Sequence, residues 1–290
     1  MRQSIIRYIL PLLSLFIASL STAEDPVKTG DIPITFKQKS AWSDPVKLAR
    51  RGGWPLDSLK REGDITYDLA NETFAAYIPA DYNDDRPFGL IVWINAGPTG
   101  EVQAAWKPAL DKHHLIWIGA NNGGNPRPFL IRMGMALDAV HNLKTRYKID
   151  EDRIYIAGLS GGAKVANILG VGWPDVFRGG FYMIGCAHYR DIPTGAPNTF
   201  WFKGFNAPES RLFMDSKQRN RHVFFTGEKD MNRKAVQDMY NAYKSDKFQH
   251  LTLIDEPGIG HEPPKAEAFE KGLVALEEIP VKAVKAGKPK

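Results

Sequence analysis

Gly158-Leu159-Ser160-Gly161-Gly162 sets a serine among glycines, directly after the apolar run Ile154–Ala157 and directly before a helical pattern. A serine on a sharp strand-to-helix turn has its hydroxyl lifted above the sheet edge, and the flanking glycines let the backbone pack closely enough to hold it there. The chemistry this suits is nucleophilic attack on an acyl carbon. The helix start that follows supplies backbone N–H groups and a positive dipole end where negative charge would develop. A plain glycine-rich turn with a capping serine is the simpler alternative.

A serine needs a base to become a nucleophile, and the base needs an acid to orient it. Of the seven histidines, His222 and His250 open predicted strands at the opposite edge of a parallel sheet from Ser160. His141 falls inside a helix, His113 and His114 precede a strand, and His188 lies in a long connection. His261 follows the last predicted strand in a glycine-rich loop, Glu256–His261, at the same edge as Ser160. For the acid, the loop after Val223–Gly227 offers Asp230, three residues clear of the strand, with Glu228 as its competitor. The order Ser160, Asp230, His261 is the nucleophile–acid–histidine order of one known arrangement. An oxyanion hole would combine the N–H of Gly161 with one from the loop Asn95–Gly100. Pro98 has no N–H to give, which points to Gly97 ahead of Thr99.

These residues need a sheet to position them. Phe88–Ala96, Leu115–Ala120, Ile154–Gly158 and Gly180–Gly185 are nearly continuous apolar runs, as strands covered on both faces are. Val223–Gly227 and Leu251–Ile254 complete the set, and Asp64–Leu69 with Thr73–Pro79 reads as an opening hairpin. Helical spacing over Pro128–Tyr147, Ala163–Leu169, Arg233–Lys247 and Pro264–Glu278 alternates with them. The fold class is therefore α/β: a mostly parallel central sheet flanked by helices, with an N-terminal antiparallel hairpin. Residues 187–220 form an inserted, lid-like connection rich in aromatics, among them His188 and Trp201 as candidate substrate-pocket residues. A satellite hydrophobic cluster under a long loop is the other reading.

The ends of the chain differ from its body. Residues 1–23 have the three-part layout of a signal peptide, with Arg2 and Arg7, an apolar stretch from Tyr8 to Leu20, and Ser21-Thr22-Ala23 before an expected cleavage. This predicts a periplasmic or secreted protein with no stable membrane insertion after cleavage. Residues 24–61 read as an extended arm, 62–280 as the main domain, and 281–290 as a basic, disordered tail. The formal charge of +5 belongs to those ends: Arg2 and Arg7 carry two of the charges, and Lys282, Lys285, Lys288 and Lys290 carry four more. The body between is close to neutral, which argues against a nucleic-acid partner. One cysteine, Cys186, excludes an intramolecular disulfide and a Cys-rich metal site.

The strand order, the GLSGG turn, the later acid loop and the Gly-His near the end together resemble the α/β-hydrolase fold. More narrowly, residues 153–185 resemble the nucleophile region of secreted polyhydroxybutyrate depolymerases and feruloyl esterases. Those proteins carry a G-L-S-x-G-G elbow, a helix, and a Pro-Asp-x-Phe. Here the elbow is GLSGGA and Pro174-Asp175-Val176-Phe177 stands in the corresponding place. Asn95-Ala96 replaces the usual His-Gly of the oxyanion loop. The resemblance implies a cofactor-free serine hydrolase of small-molecule or polymer esters. A peptidase of the same fold, and a non-catalytic fold relative that binds polymer or carbohydrate, are the alternatives.

Overall fold

The structure, a computed structural model, describes residues 28–61 and 65–278. The expected signal peptide and basic tail lie outside the described residues. Eight strands form one mixed sheet. In chain order they are β1 (Gly30–Thr35), β2 (Thr73–Ile78), β3 (Phe88–Ile94), β4 (Leu115–Ala120), β5 (Ile149–Leu159) and β6 (Gly179–Met183), followed after two short strands by β9 (Arg221–Gly227) and β10 (His250–Glu256). The spatial order is β1-β2-β4-β3-β5-β6-β9-β10. Pairing is antiparallel for β1–β2 and β2–β4 and parallel from β4 onward. The two short strands, β7 (Ile192–Pro193) and β8 (Phe200–Trp201), pair with each other outside the sheet.

Strand β3 shows why these runs are strands. All seven of its residues are buried, and alternate side chains enter opposite layers, as a two-residue period requires. Leu90, Val92 and Ile94 join the larger core, while Ile91 and Trp93 join the smaller one. The larger core is covered by α1 (Pro45–Gly52), α4 (Phe129–Leu143), α5 (Gly161–Gly172) and α7 (Arg233–Ser245). The smaller is covered by α3 (Lys107–His113) and α8 (Ala266–Glu277), where Trp106 stacks on Phe269 at 4.3 Å between ring centres.

The antiparallel opening of the sheet has a different partner from the one expected. Residues 65–68 are not a strand, and β2 pairs instead with β1, in full register from Gly30↔Ile78 to Thr35↔Thr73. The arm is thus an edge strand followed by α1 and α2 (Leu56–Arg61). Asp44 caps α1 by accepting from the N–H of Lys47, and Gly53, at φ 75°, ends it in the left-handed region. The arm also explains why Asp138 and Asn142, polar positions of α4, are buried. Asp138 accepts from the N–H of Ser40 and the hydroxyl of Tyr67, and Asn142 donates to the carbonyl of Gln38 at 2.7 Å.

Inside the sheet, His222 of β9 is 1% exposed, with the Tyr182 hydroxyl 2.8 Å from Nδ1 and the Ser216 carbonyl 3.2 Å from Nε2. Burial disfavours the charged ring and lowers its pKa to about 4. A folded-state pKa below the ordinary 6.5 means the unfolded chain binds the proton first. Stability is therefore lost as pH falls from about 6.5 toward 4, by up to roughly 3 kcal/mol from this one residue. Urea unfolding at pH 7.5 and 4.5 should show a loss smaller by about 2 kcal/mol in His222→Gln than in the parent. An identical pH dependence in the two proteins would rule out His222 as a source of acid lability.

Candidate active site

Strand β5 delivers Ser160 to the C-terminal edge of the sheet with φ 54° and ψ −116°, a backbone conformation that side chains rarely adopt. Three contacts hold it. The Ser160 N–H donates to the carbonyl of Met183 at 2.8 Å, its own carbonyl accepts from the N–H of Lys164 at 3.2 Å as α5 begins, and the end of the neighbouring parallel strand β3 lies against Gly162. That close approach is why Gly162 is a glycine: a Cβ there would lie 2.0 Å from the carbonyl oxygen of Ile94. At Gly158 a Cβ would lie 2.5 Å from the carbonyl oxygen of Gly162.

The structure brings the three sequence-selected residues together. His261 Nε2 is 2.9 Å from Ser160 Oγ, and His261 Nδ1 is 2.7 Å from Asp230 Oδ1. Asp230 is buried and also accepts from the hydroxyl of Thr226 at 2.8 Å and the N–H of Asn232 at 3.0 Å. Its competitor Glu228 accepts instead from the N–H of Gly258 at 2.8 Å, across the two loops. Backbone bonds from the N–H of Glu228 to the carbonyl of Glu256 and from the N–H of Lys229 to that of Ile259 tie those loops together. The arrangement allows a proton to leave Oγ for Nε2 while Asp230 fixes the imidazole tautomer.

The oxyanion side differs from expectation. Among the described residues the N–H of Gly161 makes no hydrogen bond, as the first residue of α5. The N–H of Gly97 does: it donates to Asn95 Oδ1 at 3.3 Å, while Asn95 Nδ2 donates to the carbonyl of Thr99 at 2.8 Å. The residue that replaces the usual histidine thus folds this loop on itself, and Gly97 is not a free donor.

A cavity of about 630 Å³ opens beside Gly161 and Gly185. Its walls are largely apolar, with Trp54 from the arm, Phe129 from α4, Met239 from α7 and Trp201 from the insertion. Trp201 therefore lines the cavity as the sequence suggested. His188 does not. It is 0% exposed and packs between Tyr189 and Tyr243, with ring centres at 4.3 and 4.4 Å, and burial lowers its pKa to about 4. Cys186 lines the cavity floor, and burial pushes its thiol up to about 12, which keeps it unreactive.

Both cationic residues of the cavity escaped the sequence reading. Arg132 of α4 is 5% exposed, donates from Nε to the carbonyl of Gly123 and from Nη2 to that of Asn95, both at 2.7 Å, and has no carboxylate partner among the described residues. Burial lowers its pKa to about 10, which leaves it cationic at neutral pH. The signal was present: Arg132 is the one charged residue in the apolar run from Phe129 to Leu137. Lys164, one turn beyond Ser160, also lines the cavity.

No protein-family model matches the chain. Among curated proteins it is similar to a poly(3-hydroxybutyrate) depolymerase of Ralstonia pickettii, 30% identical over 89 residues, which cover 26% of this chain and 18% of that protein. The match thus spans less than a fifth of the relative's length. Among solved structures it is similar to an S-formylglutathione hydrolase of Staphylococcus aureus, with TM-score 0.54 and 13% identity over 87% of this chain and 98% of that one. A ferulic acid esterase gives 0.53 and 14% over 84% and 95%. An esterase of the archaeon Pyrobaculum calidifontis gives 0.50 and 14% over 70% and 76%. At these identities the likeness is one of fold, and the fold of this chain is that of the α/β-hydrolases.

The close approach at the elbow makes a mutational contrast. Gly162→Ala sets a methyl group against backbone that cannot yield, and should cost about 2–4 kcal/mol in urea unfolding. Gly172→Ala, where a Cβ meets nothing within 4 Å, should be neutral or slightly stabilising. Equal midpoints for the two variants would show that the elbow tolerates the extra volume.

Proposed function

We propose that this α/β-hydrolase-fold chain is a serine hydrolase of carboxylic esters that works through an acyl-enzyme. The observation that carries the reading is the hydrogen-bonded line from Ser160 Oγ through His261 to buried Asp230, at a sheet edge beside an apolar cavity. On this reading Ser160 Oγ attacks the ester carbonyl carbon as its proton passes to His261 Nε2. The N–H of Gly161 faces the oxygen that gains the negative charge. Collapse breaks the bond to the alcohol oxygen, which takes the proton from His261 and leaves. Water then attacks the acyl-enzyme, giving one proton to His261, which returns it to Oγ as the free acid forms. The largely apolar cavity favours an ester with a substantial hydrophobic acyl group.

A fluorophosphonate probe tests the nucleophile directly. The parent should label, and Ser160→Ala should not. On short-chain and hydroxycinnamoyl esters, Ser160→Ala and His261→Ala should each lower kcat by about 10⁴-fold or more, and their combination should cost little further. Asp230→Asn should lower kcat by about 10²–10⁴-fold, since it removes the tautomer control but not the nucleophile. Equal labelling of Ser160→Ala would sink the assignment. Aminoacyl amides in the same panel separate an esterase from a peptidase.

We also propose that the protein is exported, from the layout of residues 1–23. N-terminal sequencing of the protein recovered from the periplasm or medium should begin at Glu24, and recovery only in the cytoplasm with Met1 intact would overturn this.

A further inference from the structure

The cavity beside Ser160 has an unbalanced charge. Its lining includes the nearly buried Arg132 and the exposed Lys164, and no aspartate or glutamate. Arg132 spends Nε and Nη2 on two carbonyls, and its Nη1 makes no hydrogen bond among the described residues. Lys164 makes neither a hydrogen bond through its side chain nor an ion pair among them. The nearby acid, Asp230, is turned away, occupied by His261, Thr226 and Asn232. Carrying a nearly buried cation with no counter-charge is costly for a folded protein. A ligand that brings the missing negative charge removes that cost.

Geometry says which part of an ester enters. His261 must hand its proton to the departing alcohol, so the alcohol sits on the side of His261, which does not line the cavity. Gly161 does line it, so the acyl group extends that way. The remaining walls, with Trp54, Phe129, Trp201 and Met239, suit an apolar or aromatic body.

We propose that the preferred substrates are esters whose acyl group has an apolar body and bears an anionic group, such as the second carboxylate of a dicarboxylic acid, which Lys164 and Arg132 receive inside the cavity. This rests on the ester-hydrolase reading and adds the substrate class to it.

The test compares p-nitrophenyl hydrogen adipate with p-nitrophenyl heptanoate, which share a leaving group and a similar acyl length and differ in the terminal charge. For the parent the ratio of kcat/KM, adipate over heptanoate, should exceed about tenfold. It should fall toward one in Lys164→Met and below one in Lys164→Glu. Raising the salt concentration should lower the parent's kcat/KM for the adipate ester and leave that for heptanoate nearly unchanged, a readout that needs no variant. A fluorophosphonate labelling control separates the two levels of the argument. If Ser160 labels and the parent's ratio is at or below one, the anionic-acyl inference is wrong and the hydrolase reading stands. If Ser160 does not label, both fall. A ratio above tenfold that Lys164→Glu leaves unchanged also overturns the assignment to this cavity.

Discussion

The backbone at Ser160 is the constraint on which the rest of the site depends. A non-glycine residue at φ 54° and ψ −116° is strained by about 1–3 kcal/mol, and it persists only where its surroundings over-determine it. Here they do. On one side β6 accepts the Ser160 N–H through Met183, and on the other β3 runs so close under Gly162 that no side chain fits. The three central strands are therefore the clamp that holds Ser160 above the sheet. The loops that carry Asp230 and His261 extend from β9 and β10, which continue the same sheet in parallel, so the register of the sheet also sets where those two side chains arrive.

Most of the clamp was legible in the sequence, because its determinants are local. Apolar runs such as FGLIVWI mark strands buried on both faces, and a glycine two positions either side of Ser160 marks the elbow. The selection of His261 over the other six histidines rests on the element each falls in, the strand end at which it lies, and chain order. What could not be read depends on contacts between distant segments. Nothing local in Gly30–Thr35 says that it pairs with β2, since an edge strand needs apolar residues on one face only. Asp138 and Asn142 look like the wet face of α4 until the arm covers them. His188 stood in an aromatic-rich stretch and was grouped with Trp201, yet one turns into the core and the other toward the cavity.

The cavity itself is built from the two segments least regular in sequence. Trp54 of the arm donates from its indole N–H to the carbonyl of Gly204 in the insertion, and the N–H of Asn206 donates to the carbonyl of Gly52, both at 2.8 Å. Each segment alone would leave the start of α5 open to water. Joined, they roof it, and they bring aromatic rings over a floor made by Val165 and Ile168 of α5. Variation in either segment would change what fits the cavity without disturbing the sheet that positions Ser160, Asp230 and His261.

Charge is distributed around Ser160 in the same divided way. A buried carboxylate, Asp230, lies behind His261, and the nearly buried guanidinium of Arg132 donates to the carbonyl of Asn95 in the loop after β3. Among the described residues Arg132 forms no ion pair, and the imidazole of His261 is the one titratable partner of Asp230. On the proposed reaction path, positive charge develops on His261, toward the fixed charge of Asp230. Fixed charges placed in advance need not reorganise as the transition state forms, and in a water-poor cavity they act at low dielectric. The carbonyls of Gly123 and Asn95 meet part of the cost of burying Arg132, and on the proposed reading the substrate's carboxylate meets the rest. That carboxylate is present in ground and transition states alike, so its gain appears in kcat/KM rather than in kcat.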